Sequence, residues 1–196
     1  MPSEDAEAFV FKHRGALLAL PALALAAFGR PSALSVTLGL PVAIAGELVR
    51  CWAVGYSGVT TRGAAVTAPE LVTAGPYAHV RNPLYAGNFL TAAGYAVAFT
   101  GKNSPATRIA LIAGALAAMA TVYAIIVPHE ERFLRAQFGD AFERYCEQVP
   151  PVIPRIDAMP GGAGTWRPSV IQDAETSTFV TFGAMLAALA FKALKA

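Results

Sequence analysis

The sequence predicts an all-α fold: a polytopic membrane helix bundle with four or five transmembrane helices and an amphipathic helix lying over its cytoplasmic face. Three observations predict it. Of 196 residues, 55% are hydrophobic and only 14% charged, against about a quarter charged in ordinary soluble domains, and the mean hydropathy is +0.48. The apolar residues fall into runs of membrane-helix length. The polar residues collect at the connections between those runs. A formal charge of +2 makes no case for nucleic acid, and no basic run interleaved with aromatics supports one. Two cysteines, Cys51 and Cys146, make no disulfide framework, and both are expected as free thiols.

The chain starts with a polar and basic leader, residues 1–14, followed by an apolar run over 15–28. A basic flank and a short apolar run also mimic a secretory signal peptide, but the acidic start and a second apolar run argue for a helical hairpin over 15–56. The first run is short for the roughly 20 residues that cross a bilayer, so its helix is expected either to borrow Phe9, Val10 and Phe11 or to cross a thinned region. The turn Gly29-Arg-Pro-Ser32 leads to a second apolar run over 33–56. Glu47 and Arg50 stand three apart on one face of it, and charges inside a membrane helix are costly enough to imply pairing or ligand contact. Both readings of Arg50 stand at this point.

A Gly, Thr and Ala-rich loop then reaches the polar segment 71–87. Gly75-Pro76 and Asn82-Pro83 are turn signals, and Pro83 suits the first position of the helix that follows. That aims a helix N-terminus at the segment, where Arg81 and the hydroxyls of Tyr77 and Tyr85 suit a polar ligand. Gly87 leaves room for a flat ring or a backbone. An ordinary loop before a Pro-capped helix has the same spacing. Apolar runs at 84–100 and 108–127 are the third and fourth membrane helices, separated by a turn at 101–105.

Pro128 is expected to start a separate helix, with Leu134, Phe138, Phe142, Tyr145 and Val149 as its apolar stripe. Glu130 and Glu131 would then occupy a first turn, where the macrodipole favours anions. Val149-Pro-Pro-Val-Ile-Pro154 is extended, because its prolines forbid a helix. The glycines at 161–164 form a linker, since they follow no strand and open no helix. A last apolar run at 176–194 spans the membrane or lies on it. Nine basic residues (Lys12, Arg14, Arg62, Arg81, Arg132, Arg135, Arg144, Arg155, Arg167) fall on the side holding both polar segments, against five on the other. The first side is therefore expected to be cytoplasmic.

Gly-Pro-Tyr77, then Val-Arg-Asn-Pro-Leu-Tyr-Ala-Gly87, then Glu130-Glu131, Phe138-Gly139, Tyr145 and Val149-Pro150 with Pro154 together resemble the isoprenylcysteine carboxyl methyltransferase and phospholipid methyltransferase superfamily. The resemblance covers roughly residues 46 to 155. It implies an integral membrane enzyme using S-adenosylmethionine, held by Gly75, Pro76, Tyr77, Asn82, Tyr85, Gly87, Glu130, Glu131 and Tyr145. Arg81, Asn82 and His79 are the candidate catalytic residues, and Arg50 and Arg155 the candidate substrate contacts. Where many members have Arg-His-Pro, this chain has Arg81-Asn82-Pro83, and asparagine does not titrate near neutral pH. A proton-transfer role at position 82 is thus in question.

The resulting expectation is a single membrane methyltransferase domain over 1–196, with its catalytic core at 57–155, a linker at 156–175 and no metal. The acceptor is expected to be lipid-like, entering between the third and fourth helices from the surrounding membrane lipids. Carboxyl methylation of an isoprenylcysteine is the alternative reaction. A non-catalytic membrane scaffold is a further reading, and a small transporter is disfavoured because the polar positions gather at one face.

Overall fold

The computed structural model describes residues 4–58 and 66–195. Arg62, one of the basic residues used for orientation, lies outside them. Among the described residues there are six α-helices and no strand: α1 Glu4–Phe28, α2 Ala33–Ser57, α3 Pro83–Phe99, α4 Pro105–Phe138, α5 Asp140–Gln148 and α6 Ser169–Leu194. Helices α1, α2, α4 and α6 are long and apolar enough to cross a membrane. The expected third membrane helix, α3, has 17 residues and packs between the others.

Small residues decide which helices touch most closely. Gly39, Ala43 and Gly46 of α2 face Gly87, Gly94 and Ala98 of α3, and a methyl group on Gly94 would lie 2.6 Å from the carbonyl oxygen of Gly39. Backbones brought this near gain dispersion contacts that lipid cannot offer. Helix α1 packs on α4 through Phe11, Met119, Val122, Tyr123 and Ile126. Helix α6 inserts Met185 and Leu189 beside Leu25, Tyr95 and Phe99.

Three expected boundaries move. The leader does not stand apart, because α1 already runs from Glu4; Glu7 is buried and is held by Arg132 and His129 of α4. Pro128 starts no helix and instead lies inside α4, which is continuous for 34 residues. A proline costs a helix one backbone hydrogen bond, but membrane helices absorb that loss where neighbouring groups take over the carbonyl. Glu130 and Glu131 are consequently not at a helix N-terminus, and side chains rather than a macrodipole must satisfy them. The break comes at Gly139, with φ 49°, and α5 begins directly beyond it. Finally, the 156–175 linker is shorter than expected, since α6 begins at Ser169.

A helix of 34 residues rises about 51 Å, well beyond the roughly 30 Å of hydrocarbon in a bilayer. The last turns of α4 therefore stand clear of its apolar stretch and carry Glu130 and Glu131 to the level of segment 71–83. Contacts fix which elements share an end of the bundle. Lys102 N–H donates to Arg30 O at 2.7 Å and Lys192 Nζ to Gly29 O at 2.9 Å, which joins the turns after α1 and α3 to the C-terminal end of α6. The polar segment, the end of α4, α5 and the tail 149–168 occupy the other end, as a shared site requires.

Candidate methyltransferase site

The polar segment is shaped by two residues that other side chains do not replace easily. Gly75 has φ 61°, and a Cβ there would also lie 2.6 Å from the Tyr56 ring. Pro76 opens a short 3-10 turn, Gly75–Ala78, and Pro83 opens α3. The tail then anneals to the segment: Met159 N–H donates to Ala78 O at 2.9 Å, Arg155 N–H to His79 O at 3.0 Å, and Arg81 N–H to Pro150 O at 2.9 Å. The three prolines keep the tail extended, which leaves the Arg155 and Met159 N–H groups and the Pro150 carbonyl free for these bonds.

Arg81 is the clamp of this end. Its Nε donates to Glu131 Oε1 at 2.9 Å, and its Nη1 donates to Val149 O at 2.7 Å and Cys146 O at 3.2 Å. One guanidinium thus ties α3's approach to α4, α5 and the tail. Asn82 Nδ2 donates to Pro151 O at 3.0 Å, so this asparagine holds the tail rather than capping α3. Tyr145 is buried and donates to Tyr77 O at 2.8 Å. Burial lifts both the Tyr77 and Tyr145 phenols well above their ordinary range, with Ser57 and Arg81 respectively pulling the other way. Both therefore remain neutral hydrogen-bond donors. Burial also pushes the Cys146 thiol up, which makes it a poor nucleophile.

Next to the clamp, Tyr85 donates to Glu130 Oε1 at 2.7 Å and stacks near Tyr123, with ring centroids 4.4 Å apart. This phenol and carboxylate face a cavity of about 890 Å³, large enough for a nucleotide-sized ligand together with part of a second molecule. Arg14, Tyr77, Arg81, Asn82 and Tyr145 line the same polar end. Farther in, the walls become apolar through Leu18, Ala22, Met119, Phe182 and Met185. The donor set suits S-adenosylmethionine: a buried carboxylate with a phenol for its cationic or hydroxyl-bearing parts, and aromatic rings for its base.

Not every expected site residue meets that cavity. Arg50, Tyr77, Arg81, Asn82, Tyr85, Glu130 and Tyr145 line it, while Gly75, Pro76, His79, Gly87, Glu131 and Arg155 do not. Gly87 makes room for α2 rather than for a ligand, since a Cβ there would lie 2.7 Å from Arg50 Cγ and 2.8 Å from Gly46 O. His79 turns Nδ1 to Arg155 O at 3.0 Å. Arg155 spends its Nη1 on Gln148 O at 2.9 Å. Helices α3 and α4 pack together, and the cavity is walled by α1, α2 and α6 as well as by these two. Among the described residues no group of three His, Cys, Asp or Glu side chains is placed to hold a metal.

Sequence reasoning placed Glu47 beside Arg50 but missed the other partners of that arginine. Its Nη2 donates to Glu175 Oε2 at 2.6 Å and to Thr178 Oγ1 at 3.2 Å, its Nη1 to Asn88 Oδ1, and Glu47 lies 3.5 Å from its Nε. A buried arginine demands a counter-charge. The signal was present in Glu175 and Thr178, three apart, but the expected boundary separated them: Glu175 closed the stretch taken for linker and Thr178 fell in the first turn of the last apolar run.

Residues 34–141, more than half of the chain, match the family described as phospholipid methyltransferase. The cobalt-zinc-cadmium resistance protein CzcN of Cupriavidus metallidurans is 32% identical over 96 residues, which cover 49% of this chain and 40% of that protein. The nickel-cobalt-cadmium resistance protein NccN of Alcaligenes xylosoxydans xylosoxydans is 33% identical over 87 residues, 44% of this chain and 37% of that protein. The match thus spans less than half the length of these curated relatives. No solved structure matches the chain. With its membrane-length helices and its polar clamp at one end of the bundle, the chain belongs to the phospholipid methyltransferase family.

Proposed function

We propose that this membrane protein is an S-adenosylmethionine-dependent methyltransferase that acts on a lipid-like acceptor at the cytoplasmic face. The observation that carries the reading is the Tyr85–Glu130 pair, 2.7 Å apart, at the polar end of a cavity whose other walls are apolar. When bound, S-adenosylmethionine supplies a methyl group on a sulfonium, whose transfer to a nucleophile leaves a neutral thioether. Glu130 and Tyr85 hold the cofactor's polar groups, and Tyr77 and Tyr145 wall its place with neutral phenols. Arg81 lines the cavity and also ties Glu131, the end of α5 and the start of the tail together, which fixes the segment that carries Tyr77 and Tyr85. Orienting the two reactants in one cavity then supplies much of the rate.

Cytoplasmic orientation rests on the nine-to-five distribution of basic residues. Carboxyl methylation of an isoprenylcysteine is less well supported, because a carboxylate acceptor needs a cation near the reacting end, where Arg81 is committed to Glu131, Cys146 and Val149 and Arg14 donates to Phe11 O and lies over the Phe11 ring. The two resistance proteins add no acceptor, since their names describe a phenotype. Calorimetry in detergent with S-adenosylmethionine and S-adenosylhomocysteine tests the reading. Binding of both by the wild type is expected, weakened about tenfold or more in Glu130→Ala. A wild type that binds neither is a scaffold that has kept the fold.

A further inference from the structure

Helix α6, Ser169–Leu194, lies wholly beyond the family-matched stretch 34–141, yet it completes the cavity. Its residues Glu175, Thr178, Thr181, Phe182 and Met185 line the wall. Glu175 is 1% exposed and reaches across to Arg50 on α2 at 2.6 Å. This group sits between the polar end described above and the apolar shaft, at the level where the head of an amphiphile would lie if its chain filled the shaft.

We propose that α6 is a specificity helix, in which Glu175, held by Arg50 in the cavity wall, favours an acceptor whose head donates hydrogen bonds, an amine or an alcohol, over a carboxylate or a phosphate. The inference rests on the methyltransferase reading and names the acceptor chemistry at that site. Arg50 donates to Asn88, Glu175 and Thr178 and has Glu47 beside its Nε at 3.5 Å. An anionic head would have to displace Glu175 or Asn88 from the guanidinium while facing two buried carboxylates. Repulsion between like charges is strong where water is excluded. A donor head instead meets the Thr178 hydroxyl at the wall, with the two buried carboxylates behind it favouring it through space, and leaves the Arg50 pair unbroken. The shaft beyond is formed by Leu18 and Ala22 of α1, Met119 of α4, and Phe182 and Met185 of α6, and its apolar walls suit a hydrocarbon chain.

The test uses the full chain in zwitterionic lipid nanodiscs saturated with S-adenosylhomocysteine. Thermal stabilisation is titrated with four twelve-carbon probes: dodecylamine, dodecanol, dodecanoate and dodecyl phosphate. Wild type should respond to the amine or the alcohol at concentrations at least about tenfold below those for the two anions. Glu175→Gln should bring amine and carboxylate within about twofold of each other, and partitioning into lipid cancels between the two proteins. Thr178→Val, which leaves the charges in place, should keep the wild-type ranking. The proposal is overturned if wild type ranks an anion level with or above both donors, or if Glu175→Gln keeps the wild-type ranking. Should Glu175→Gln fail to bind S-adenosylhomocysteine, Glu175→Asp replaces it, because it keeps the charge but draws it back from the cavity. A loss of about threefold or more in response to the favoured donor then supports the proposal, and wild-type affinity overturns it. Failure of the wild type to bind S-adenosylhomocysteine strikes the methyltransferase reading, whereas an unaltered head-group ranking strikes only the role of Glu175.

Discussion

Two charged clusters face the same cavity, and they were assembled by different means. At the motif end, Arg81 and Glu131 join at 2.9 Å and Tyr85 and Glu130 at 2.7 Å, all within the family-matched stretch. Midway along the bundle, Arg50 meets Glu175 from a helix outside that stretch. The first cluster also binds backbone carbonyls at the end of α5 and the start of the tail, so it joins separate stretches of backbone. The second binds side chains only, from α2, α3 and α6, so it joins helices. The comparison separates a cluster contained in the family-matched stretch from one completed by a helix beyond it, and the proposed function assigns the first to the cofactor and the second to selection of the acceptor.

The sharpest way to break the comparison is to remove the frame on which both clusters stand. Gly94→Leu places a side chain against Gly39 and Ala43, and overpacking of a backbone contact this close has no rotamer to escape into. We expect no folded monomer in detergent, read by size-exclusion chromatography. Next in size is Arg81→Ala. It leaves Glu131 without its guanidinium and frees the carbonyls of Cys146 and Val149, costing about 3 kcal/mol. Protease cleavage in the 149–168 tail should become rapid, and S-adenosylhomocysteine binding should be lost with it.

How much of this was legible in the sequence follows the same division. The motif end was legible because its residues come in short fixed strings: Tyr77, Arg81, Tyr85, Glu130 and Tyr145 were named, and they converge. Gly87 was misread because a bare Cα serves a ligand ring and a neighbouring helix equally well, and only the position of Gly46 decides between them. Pro128 was misread because proline ends helices in water, whereas here α4 runs through it and delivers Glu130 without a cap. Glu175 escaped because its importance depends on Arg50, 125 residues earlier, and no local pattern encodes that pairing.

Smaller changes sharpen the contrast. Tyr85→Phe keeps the ring against Tyr123 but removes the hydroxyl from Glu130, so S-adenosylhomocysteine should bind about tenfold more weakly with stability lowered by only about 1 kcal/mol. Asn88→Ala removes one acceptor from Arg50 and the donor to Tyr123 OH at 2.8 Å. Its effect on cofactor binding should be under about threefold, with unfolding in detergent shifted downward by about 1 kcal/mol. If Asn88→Ala weakened the cofactor as much as Tyr85→Phe, the two clusters would be one site.

The most direct measurement is a structure of the chain in lipid nanodiscs with S-adenosylhomocysteine. The account predicts the ligand at the polar end of the cavity, touching Tyr85 and Glu130, with the shaft between α1 and α6 left for a second, apolar molecule. Ligand bound elsewhere on the chain, or a polar end that stays empty at saturating ligand, would contradict it.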